Sequence, residues 1–442
     1  MSGDSRLRCL ARPGKRRPPI ATAVAFAAAA VAAAAGCRSS GSAAEHPPLS
    51  LSVVTTLAAE HDYFALRDSL AGRPAESTVA ALVARSLTHH AFNRLEASTA
   101  AIDSAMAGGV SDSLRFELGN LKATNLLRTF RYRDGLAAAD STLAHAGPAV
   151  DSAEIRDLAN LRRILAALEA VPEQTVARRE STTVALDGGR LPVTIEGRNR
   201  TYLFDTGANL SVLSRGEAAR LGLTVIDADI DVGSSTDIRN TADLAVANVL
   251  AIGNLEFRHV VFLVFDDRLL TFPGMTIDGI VGFPVIEAMG EVRLGTAGTL
   301  TVPAPAPRRA AANLALDGLT PLARVTWRDQ SLVCRLDTGA NSTQFYEPFY
   351  RPRATWIDSA GTADSTQTGG VGGLRTLPVR LVRDFGLGVG DTTFTLEQAE
   401  ILTRSITDRP AANFLDCNLG HDIFDRFGAL IMNFEDMAFL LR

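Results

Sequence analysis

The spacing of apolar residues divides the chain into two regions of different predicted secondary structure. Between residues 50 and 175, apolar positions recur three and four residues apart with little alternation, which predicts α-helices. From about residue 181, glycines interrupt short apolar segments such as "LPVTIEG" and "TYLFDTG", a pattern typical of strands and turns. We therefore expect a multidomain protein with an N-terminal all-α region and a C-terminal all-β region.

The helical region contains a faint internal repeat. Asp68, Asp103 and Asp140 are each followed by serine, and an Ala-Gly pair comes soon after each of them. Because glycine often ends a helix, this spacing predicts helix pairs that resemble tetratricopeptide repeats, whose period is about 34 residues. An irregular helical bundle is the alternative. Since stacked helices usually form a docking surface, we expect a protein partner at this region.

The β region contains two copies of one unit. "VALDGG" begins the first copy at Val184, "LALDGL" begins the second at Leu314, and "DTGAN" occurs in both, at Asp205 and at Asp337. Both copies end in a strand-like tail, and the Pro/Ala-rich stretch 303–312 between them is typical of a linker. The pattern predicts two homologous β lobes.

The N-terminus has the features of an export signal. Basic residues up to Arg17 precede the apolar run 20–35, which is too short and too rich in alanine for a spanning helix. The ending "AAGC" resembles the bacterial lipobox, which implies a lipid on Cys37; plain secretory cleavage nearby is the alternative. We expect an exported lipoprotein, held by its lipid on the periplasmic face of the outer membrane because Arg38, not aspartate, follows Cys37. The predicted domains are the export signal (1–36), a tether (37–49), the helical region (50–175), lobe one (181–302), the linker (303–312) and lobe two (313–442).

Composition and motifs limit the other functions. The net charge is −5 and arginines do not cluster outside the leader, so we expect no nucleic-acid partner. No group of residues has metal-ligand spacing, and neither a G-x-S-x-G motif nor a phosphate-binding glycine loop occurs. We therefore expect no metal and no cofactor.

The repeated motif has a chemical rationale. It supplies Asp205, Thr206 and Gly207 in lobe one and Asp337, Thr338 and Gly339 in lobe two. Glycine lets another backbone approach closely, and a threonine hydroxyl both donates and accepts hydrogen bonds. If the copies face each other across a two-fold axis, the two carboxylates lie close together and cannot both ionise. Such a pair offers a base for water and an acid for the substrate.

Residues 181–442 resemble the retropepsin/pepsin clan of aspartic proteases. The resemblance rests on both DTGA motifs, the two-lobe duplication and the downstream elements Ile280-Val281-Gly282 and Asn418-Leu419-Gly420. It implies a bilobed acid-protease fold, interlocked threonine hydroxyls and an aspartic endopeptidase whose two aspartates bind the attacking water. The substrate is then a peptide or a protein. The alternative is a non-catalytic exported peptide-binding or scaffold protein with helical docking repeats and protease-like lobes.

The resemblance also suggests substrate-binding residues. A glycine-bearing hairpin closes over the substrate in this family, and the candidates are residues 231–238 and 367–374. Arg335 lies two residues before Asp337, where lobe one has leucine, so it either faces the cleft or turns to solvent or to a local carboxylate. The full set of predicted contacts is Leu203, Ala208 and Gly233 in lobe one and Arg335, Ala340 and Gly370 in lobe two.

Two cysteines remain in the predicted mature chain besides Cys37, namely Cys334 and Cys417. In the retropepsin-like fold, the segments that carry them run side by side behind the active site. The resemblance therefore implies a disulfide within lobe two. Tyr202 and Gly279 occupy the matching places in lobe one.

Overall fold

The computed structural model describes residues 49–73, 76–233, 240–272, 274–371, 373–406 and 414–442. The predicted export signal, Cys37 and most of the tether lie outside these ranges. Within the part of the chain that is described, no helix is both long enough and apolar enough to cross a membrane. Residues from Pro48 to Arg442 form one compact unit.

The N-terminal part of this unit is helical, as predicted. Its helices are α1 (Leu51–Ala59), α2 (Tyr63–Leu70), α3 (Val79–Ala91), α4 (Leu95–Ala107), α5 (Asp112–Arg128), α6 (Tyr132–Ala144) and α7 (Ser152–Ala167). Asp68, Asp103 and Asp140 lie in α2, α4 and α6, so the sequence repeat marks every second helix. Successive helices contact each other. The likeness to tetratricopeptide repeats stays a prediction.

The rest of the unit is built mainly of strands, which confirms the predicted helical-plus-β architecture. The first copy comprises β1 (Thr175–Arg179), β2 (Thr182–Ala185), β3 (Arg190–Ile195), β4 (Arg198–Phe204), β5 (Ser211–Ser214), α8 (Arg215–Leu221), β6 (Val225–Val232), β7 (Asn240–Ile252), β8 (Leu255–Phe265), β9 (Thr271–Phe272), β10 (Met275–Thr276), β11 (Gly279–Val281), α9 (Phe283–Ala288), β12 (Glu291–Gly295) and β13 (Thr299–Val302). The second comprises β14 (Leu314–Asp317), β15 (Thr320–Trp327), β16 (Gln330–Leu336), β17 (Gln344–Phe345), α10 (Glu347–Tyr350), α11 (Ala354–Ala360), β18 (Thr362–Gly370), β19 (Gly373–Val389), β20 (Thr392–Leu402), β21 (Cys417–Leu419), α12 (His421–Phe424), β22 (Ala429–Asn433) and β23 (Ala438–Leu441).

The two copies share one strand arrangement around their DTG motifs. In lobe one, β4 leads to the motif and pairs in parallel with β11; β11 pairs antiparallel with β5, and β5 pairs in parallel with β8. In lobe two, β16, β21, β17 and β20 are paired in the same order and directions. The sequence duplication is therefore also a structural duplication.

A separate five-stranded sheet joins the lobes, in the order β2-β13-β12-β22-β23. Its central pair, β12 and β22, combines the tail strands of the two copies. The fully buried carboxylate of Glu291 accepts hydrogen bonds from Arg309 at 2.6 and 2.7 Å and from Asn433 at 2.9 Å. The two lobes are thus joined by backbone hydrogen bonds within one sheet and by buried polar side-chain contacts.

The helical region contacts both lobes. The guanidinium of Arg128 in α5 donates to Glu287 in α9 at 2.9 Å and to the buried carbonyl of His90 at 3.2 Å. Asn160 in α7 exchanges two 2.8 Å hydrogen bonds with the backbone of Asp231 in β6. On the lobe-two side, the hydroxyl of Tyr63 donates to Asp317 at 2.7 Å.

The Arg128 contact predicts a measurable dependence of stability on this junction. Arg128→Ala is expected to lower the free energy of unfolding by roughly 2–3 kcal/mol, because Glu287 and a buried carbonyl lose a charged donor. The matched control is Lys122→Ala. It removes a 2.6 Å pair with Asp103 whose side chains are 30% and 54% exposed, against 0% for Arg128, and should cost under about 1 kcal/mol. Chemical denaturation measures both, and equal losses would contradict the junction's role.

Candidate active site

The two DTG motifs lie at the ends of equivalent strands. Asp205 follows β4, and its backbone amide donates to the carbonyl of Val281 at 3.1 Å. Asp337 follows β16, and its amide donates to Leu419 at the same distance. The predicted apolar-apolar-glycine elements therefore hold the two aspartates in place, each within its own lobe.

The motif glycines bring the lobes into contact. A Cβ atom on Gly207 would lie 2.5 Å from Oδ1 of Asp337, and one on Gly339 would lie 2.5 Å from Cγ of Asp205. A side-chain carbon cannot lie this close to the opposite aspartate, which explains why glycine occupies both positions. Each glycine amide also donates to the aspartate of its own motif, at 2.7 Å for Gly207 and 3.0 Å for Gly339.

The threonines of the two motifs form a symmetrical network across the lobe boundary. The backbone amide of each donates to the hydroxyl of the other at 3.0 Å. The hydroxyl of Thr206 then donates to the carbonyl of Leu336, and that of Thr338 to the carbonyl of Phe204, both at 2.9 Å. Both threonines are buried, so this closed network fixes the geometry of the two aspartates.

The two carboxyl groups face each other across the lobe boundary, each packed against the motif glycine of the opposite lobe. Burial and the charge of Asp337 raise the pKa of Asp205 to about 7, although Arg335 and the amide of Gly207 act in the opposite direction. Like charges this close resist joint ionisation. The pair therefore retains one proton up to nearly neutral pH, and its titration belongs to both residues.

We also compared the sequence with models of known protein families. Residues 191–285, which contain the first motif, match the family model described as aspartyl protease. This segment of the chain is similar to the aspartyl protease family. The match supports protease activity in general.

Further comparisons give the following. One of the solved structures that match is a retropepsin-like aspartic protease from Rickettsia conorii. It is 19% identical, the alignment covers 29% of this chain and 92% of that one, and the TM-score is 0.22. No curated protein matches the chain.

Arg335 lies beside Asp337, and its contacts decide between the two orientations that the sequence left open. Its Nη2 donates to the carbonyl of Gly207 in the opposite lobe. Its Nε lies 4.0 Å from Oδ2 of Asp337, and the side chain is 29% exposed. The alternative in which Arg335 turns to solvent or pairs with a separate carboxylate is wrong, because β16 keeps its regular pairing through Leu336.

Asn418 is a second polar neighbour of the Asp205–Asp337 pair, which we call the dyad. Its Nδ2 donates to Oδ2 of Asp337 at 3.3 Å. The matching residue of lobe one is Ile280, which offers no donor. The two aspartates therefore have the same backbone setting but different side-chain surroundings.

The alanines after the motif glycines have backbone contacts of their own. The carbonyl of Ala208 accepts from the amide of Phe283 at 2.8 Å, and that of Ala340 accepts from the amide of His421 at 2.9 Å. Both connect the DTG turn to the short helix that follows the glycine element. Their predicted contact with substrate, like that of the half-buried Leu203, stays a prediction.

The two hairpins predicted to cover the substrate differ in how much of each the structure describes. In lobe two, Gly370 pairs with Gly373 near the tip of the β18–β19 hairpin. At that tip, the carbonyl of Val371 accepts from the Asn240 side chain of lobe one at 3.1 Å. In lobe one, Gly233 is exposed and precedes residues 234–239, which lie outside the described ranges.

The sequence analysis missed three residues close to the dyad or its hairpin, namely Gln344, Tyr346 and Glu400. Nε2 of Gln344 donates to Glu400 at 3.0 Å. Burial raises the pKa of Tyr346 to about 12, with Arg335 opposing the shift and Asp337 adding to it. For Gln344 and Tyr346, the repeat alignment is the signal that could have found them, because it places these residues opposite Val212 and Ser214.

Over the described ranges, no group of His, Cys, Asp and Glu residues has a metal-binding arrangement.

The predicted disulfide is confirmed. Cys334 in β16 and Cys417 in β21 are direct register partners, with Cα atoms 4.5 Å apart, and their sulfurs are bonded. At the matching place in lobe one, a Cβ on Gly279 would lie 2.7 Å from the ring of Tyr202. A tyrosine ring therefore fills the space in lobe one that the disulfide occupies in lobe two.

Proposed function

We propose that the protein is an aspartic endopeptidase that hydrolyses peptide bonds with a water activated by Asp205 and Asp337. The observation that carries this proposal is the pair of facing carboxyl groups, held by two interlocked threonines. A pair that holds one proton contains both the acid and the base that amide hydrolysis requires.

The surroundings assign a role to each aspartate. Burial favours the neutral form of Asp205, whereas Asp337 accepts from the amide of Asn418 and lies beside the Arg335 cation. Asp337 then takes a proton from water as the water oxygen bonds to the peptide carbon, and Asp205 gives its proton to the carbonyl oxygen. When the C–N bond breaks, the proton on Asp337 passes to the leaving amine, and a hydroxyl of the tetrahedral intermediate returns a proton to Asp205 as the new carbonyl forms. No covalent enzyme intermediate forms.

The test is cleavage of a peptide library by the full mature chain between pH 4 and pH 8, with and without a pepstatin-type inhibitor. We expect internal cleavage that the inhibitor blocks. Peptide binding without cleavage at any of these pH values would instead favour the non-catalytic alternative.

The shared proton predicts a defined pH dependence. Activity is expected to fall as the pH rises through about 7, because Asp205 then loses the proton that the acid step requires. The contribution of Asp205 to the free energy of unfolding is also expected to fall as the pH rises. A carboxyl group with an ordinary pKa of about 4 when unfolded, raised to about 7 in the folded state, favours folding below pH 4 and loses that contribution through pH 7.

Profiles of kcat/KM and melting temperature against pH would measure both effects. Asp205→Asn is the control for stability, because asparagine does not titrate and should remove this part of the pH dependence. Activity that stays constant from pH 6 to pH 8 would contradict the proposed protonation state.

We further propose that the enzyme is exported and held by a lipid on Cys37 at the periplasmic face of the outer membrane. The basic leader, the apolar run and the "AAGC" ending support this location. We also propose a protein partner at the helical region, on the support of its repeated helices.

A further inference from the structure

A row of four apolar side chains crosses the sheet of lobe one beside the dyad. Leu203 on β4 is the register partner of Ile280 on β11, Ile280 is the partner of Val212 on β5, and Val212 is the partner of Leu263 on β8. Direct partners in a sheet project from the same face. Val212, Leu263 and Ile280 are buried in a cluster that lobe one shares with helices α5, α6 and α7, and Leu203 packs against it half-buried.

The same register positions of lobe two hold only polar side chains. Arg335 on β16 is the partner of Asn418 on β21, Asn418 is the partner of Gln344 on β17, and Gln344 is the partner of Glu400 on β20. The duplicated lobes are therefore alike in backbone and opposite in chemistry along this row. Next to the dyad, the half-buried residue of this row is therefore Leu203 in lobe one and Arg335 in lobe two.

The outer end of the polar row is already satisfied. Gln344 donates to Glu400 at 3.0 Å, and Thr366 of the β18–β19 hairpin donates to the same carboxylate oxygen at 2.9 Å. These contacts attach the hairpin to the row.

At the inner end of the row, next to the dyad, Arg335 and Asn418 each have a polar atom without a hydrogen-bond partner in the described part of the chain. Nε of Arg335 and Oδ1 of Asn418 are buried, and neither has a hydrogen-bond partner within the described ranges. The guanidinium has five N–H donors. It donates to the carbonyl of Gly207, while its Nε lies 4.0 Å from Asp337, beyond a normal hydrogen bond. Buried polar groups without partners are costly. Among the residues that the structure describes, Nε of Arg335 lacks an acceptor and Oδ1 of Asn418 lacks a donor, while 29% of the Arg335 side chain stays exposed beside the dyad.

We propose that Arg335 is a specificity-determining residue that binds the carboxylate of a substrate Asp or Glu side chain flanking the scissile bond, while Leu203 of lobe one contacts an apolar residue on the other side. The planar fork of arginine matches a carboxylate with two parallel hydrogen bonds. Because Nε lies near Asp337, only a residue next to the attacked bond lies within reach. The inference rests on the proposed endopeptidase function and names its substrate class.

The cleavage test uses the full mature chain and peptide pairs that differ only in Glu or Gln beside an apolar residue. Wild type is expected to cleave the Glu peptide with a kcat/KM at least about tenfold higher, the scale of one charge-assisted hydrogen bond. Arg335→Leu, which installs the lobe-one residue type, should abolish this preference. It should also move the alkaline limb of the pH profile upward, since the cation that lowers the pKa of Asp205 is gone.

Two further variants sharpen the test. Arg335→Lys keeps the charge but not the fork, and should retain only part of the preference. Arg383→Leu removes an exposed arginine of β19 in the same lobe and should leave the preference unchanged. An equal preference in wild type and Arg335→Leu would overturn the inference.

A binding measurement separates this inference from the proposed function. Fluorescence anisotropy with the Asp205→Asn variant should show tighter binding of the Glu peptide than of the Gln peptide, and Asp205→Asn combined with Arg335→Leu should not. If this preference appears but wild type cleaves nothing, the endopeptidase proposal fails and the carboxylate site stands. Equal binding of both peptides overturns the site. A preference that requires a free C-terminus, and vanishes on amidation, overturns the side-chain assignment in favour of a terminal carboxylate.

Discussion

Asp205→Asn and Asp337→Asn are each expected to lower kcat/KM for peptide cleavage by more than roughly 100-fold, the lower range for the loss of general acid–base chemistry. One carboxyl group cannot serve as both acid and base in the same turnover. Asparagine keeps the size and most hydrogen bonds of aspartate, so the fold should persist. The measurement is steady-state cleavage, with circular dichroism to check folding.

The matched control for the dyad is Asp391→Asn. Asp391 is an exposed aspartate in the turn between β19 and β20, whose side chain is 79% exposed, and its replacement should leave cleavage unchanged. Near-full activity in either dyad variant would show that the two lobes do not form one active site.

Loss of the disulfide is expected to cause the largest change in stability. Replacing both Cys334 and Cys417 by alanine should lower the free energy of unfolding by up to about 4 kcal/mol, the chain-entropy value for a bridge across 83 residues. The bond joins the strand that leads to Asp337 to the strand that leads to Asn418, so cleavage activity should fall with stability.

Reduction provides the internal control for this effect. A reductant should lower the denaturation midpoint of wild type towards that of the double variant, and should not change the double variant itself. A wild-type midpoint that is insensitive to the reductant would show that the bridge contributes nothing to stability.

Much of the site could be predicted from the sequence because its essential parts are local. The five residues of "DTGAN" specify a strand end, a tight turn and a carboxylate without reference to the rest of the chain. Their recurrence at Asp337 indicated a two-fold arrangement, and the matching glycine elements indicated how each aspartate is held. Even the pairing of Cys334 with Cys417 followed from the resemblance that those motifs carry.

The orientation of Arg335 could not be predicted in this way. The alternation of a strand places it on the face of Asp337, but a single bulge would have reversed that placement. The structure shows regular pairing along β16, and the guanidinium reaches the Gly207 carbonyl only because the lobes meet at their glycines.

The sequence by itself determined the helical and β regions, the duplication and the pair of aspartates, because each is encoded by periodicity or by a short motif. Only the tertiary structure decided that Arg335, Asn418, Gln344 and Glu400 form one row, and that helices α5 and α7 dock on lobe one. These residues come from four strands that are far apart in sequence. Which of their side chains share a face depends on strand register, and register is set by the packing of the whole sheet.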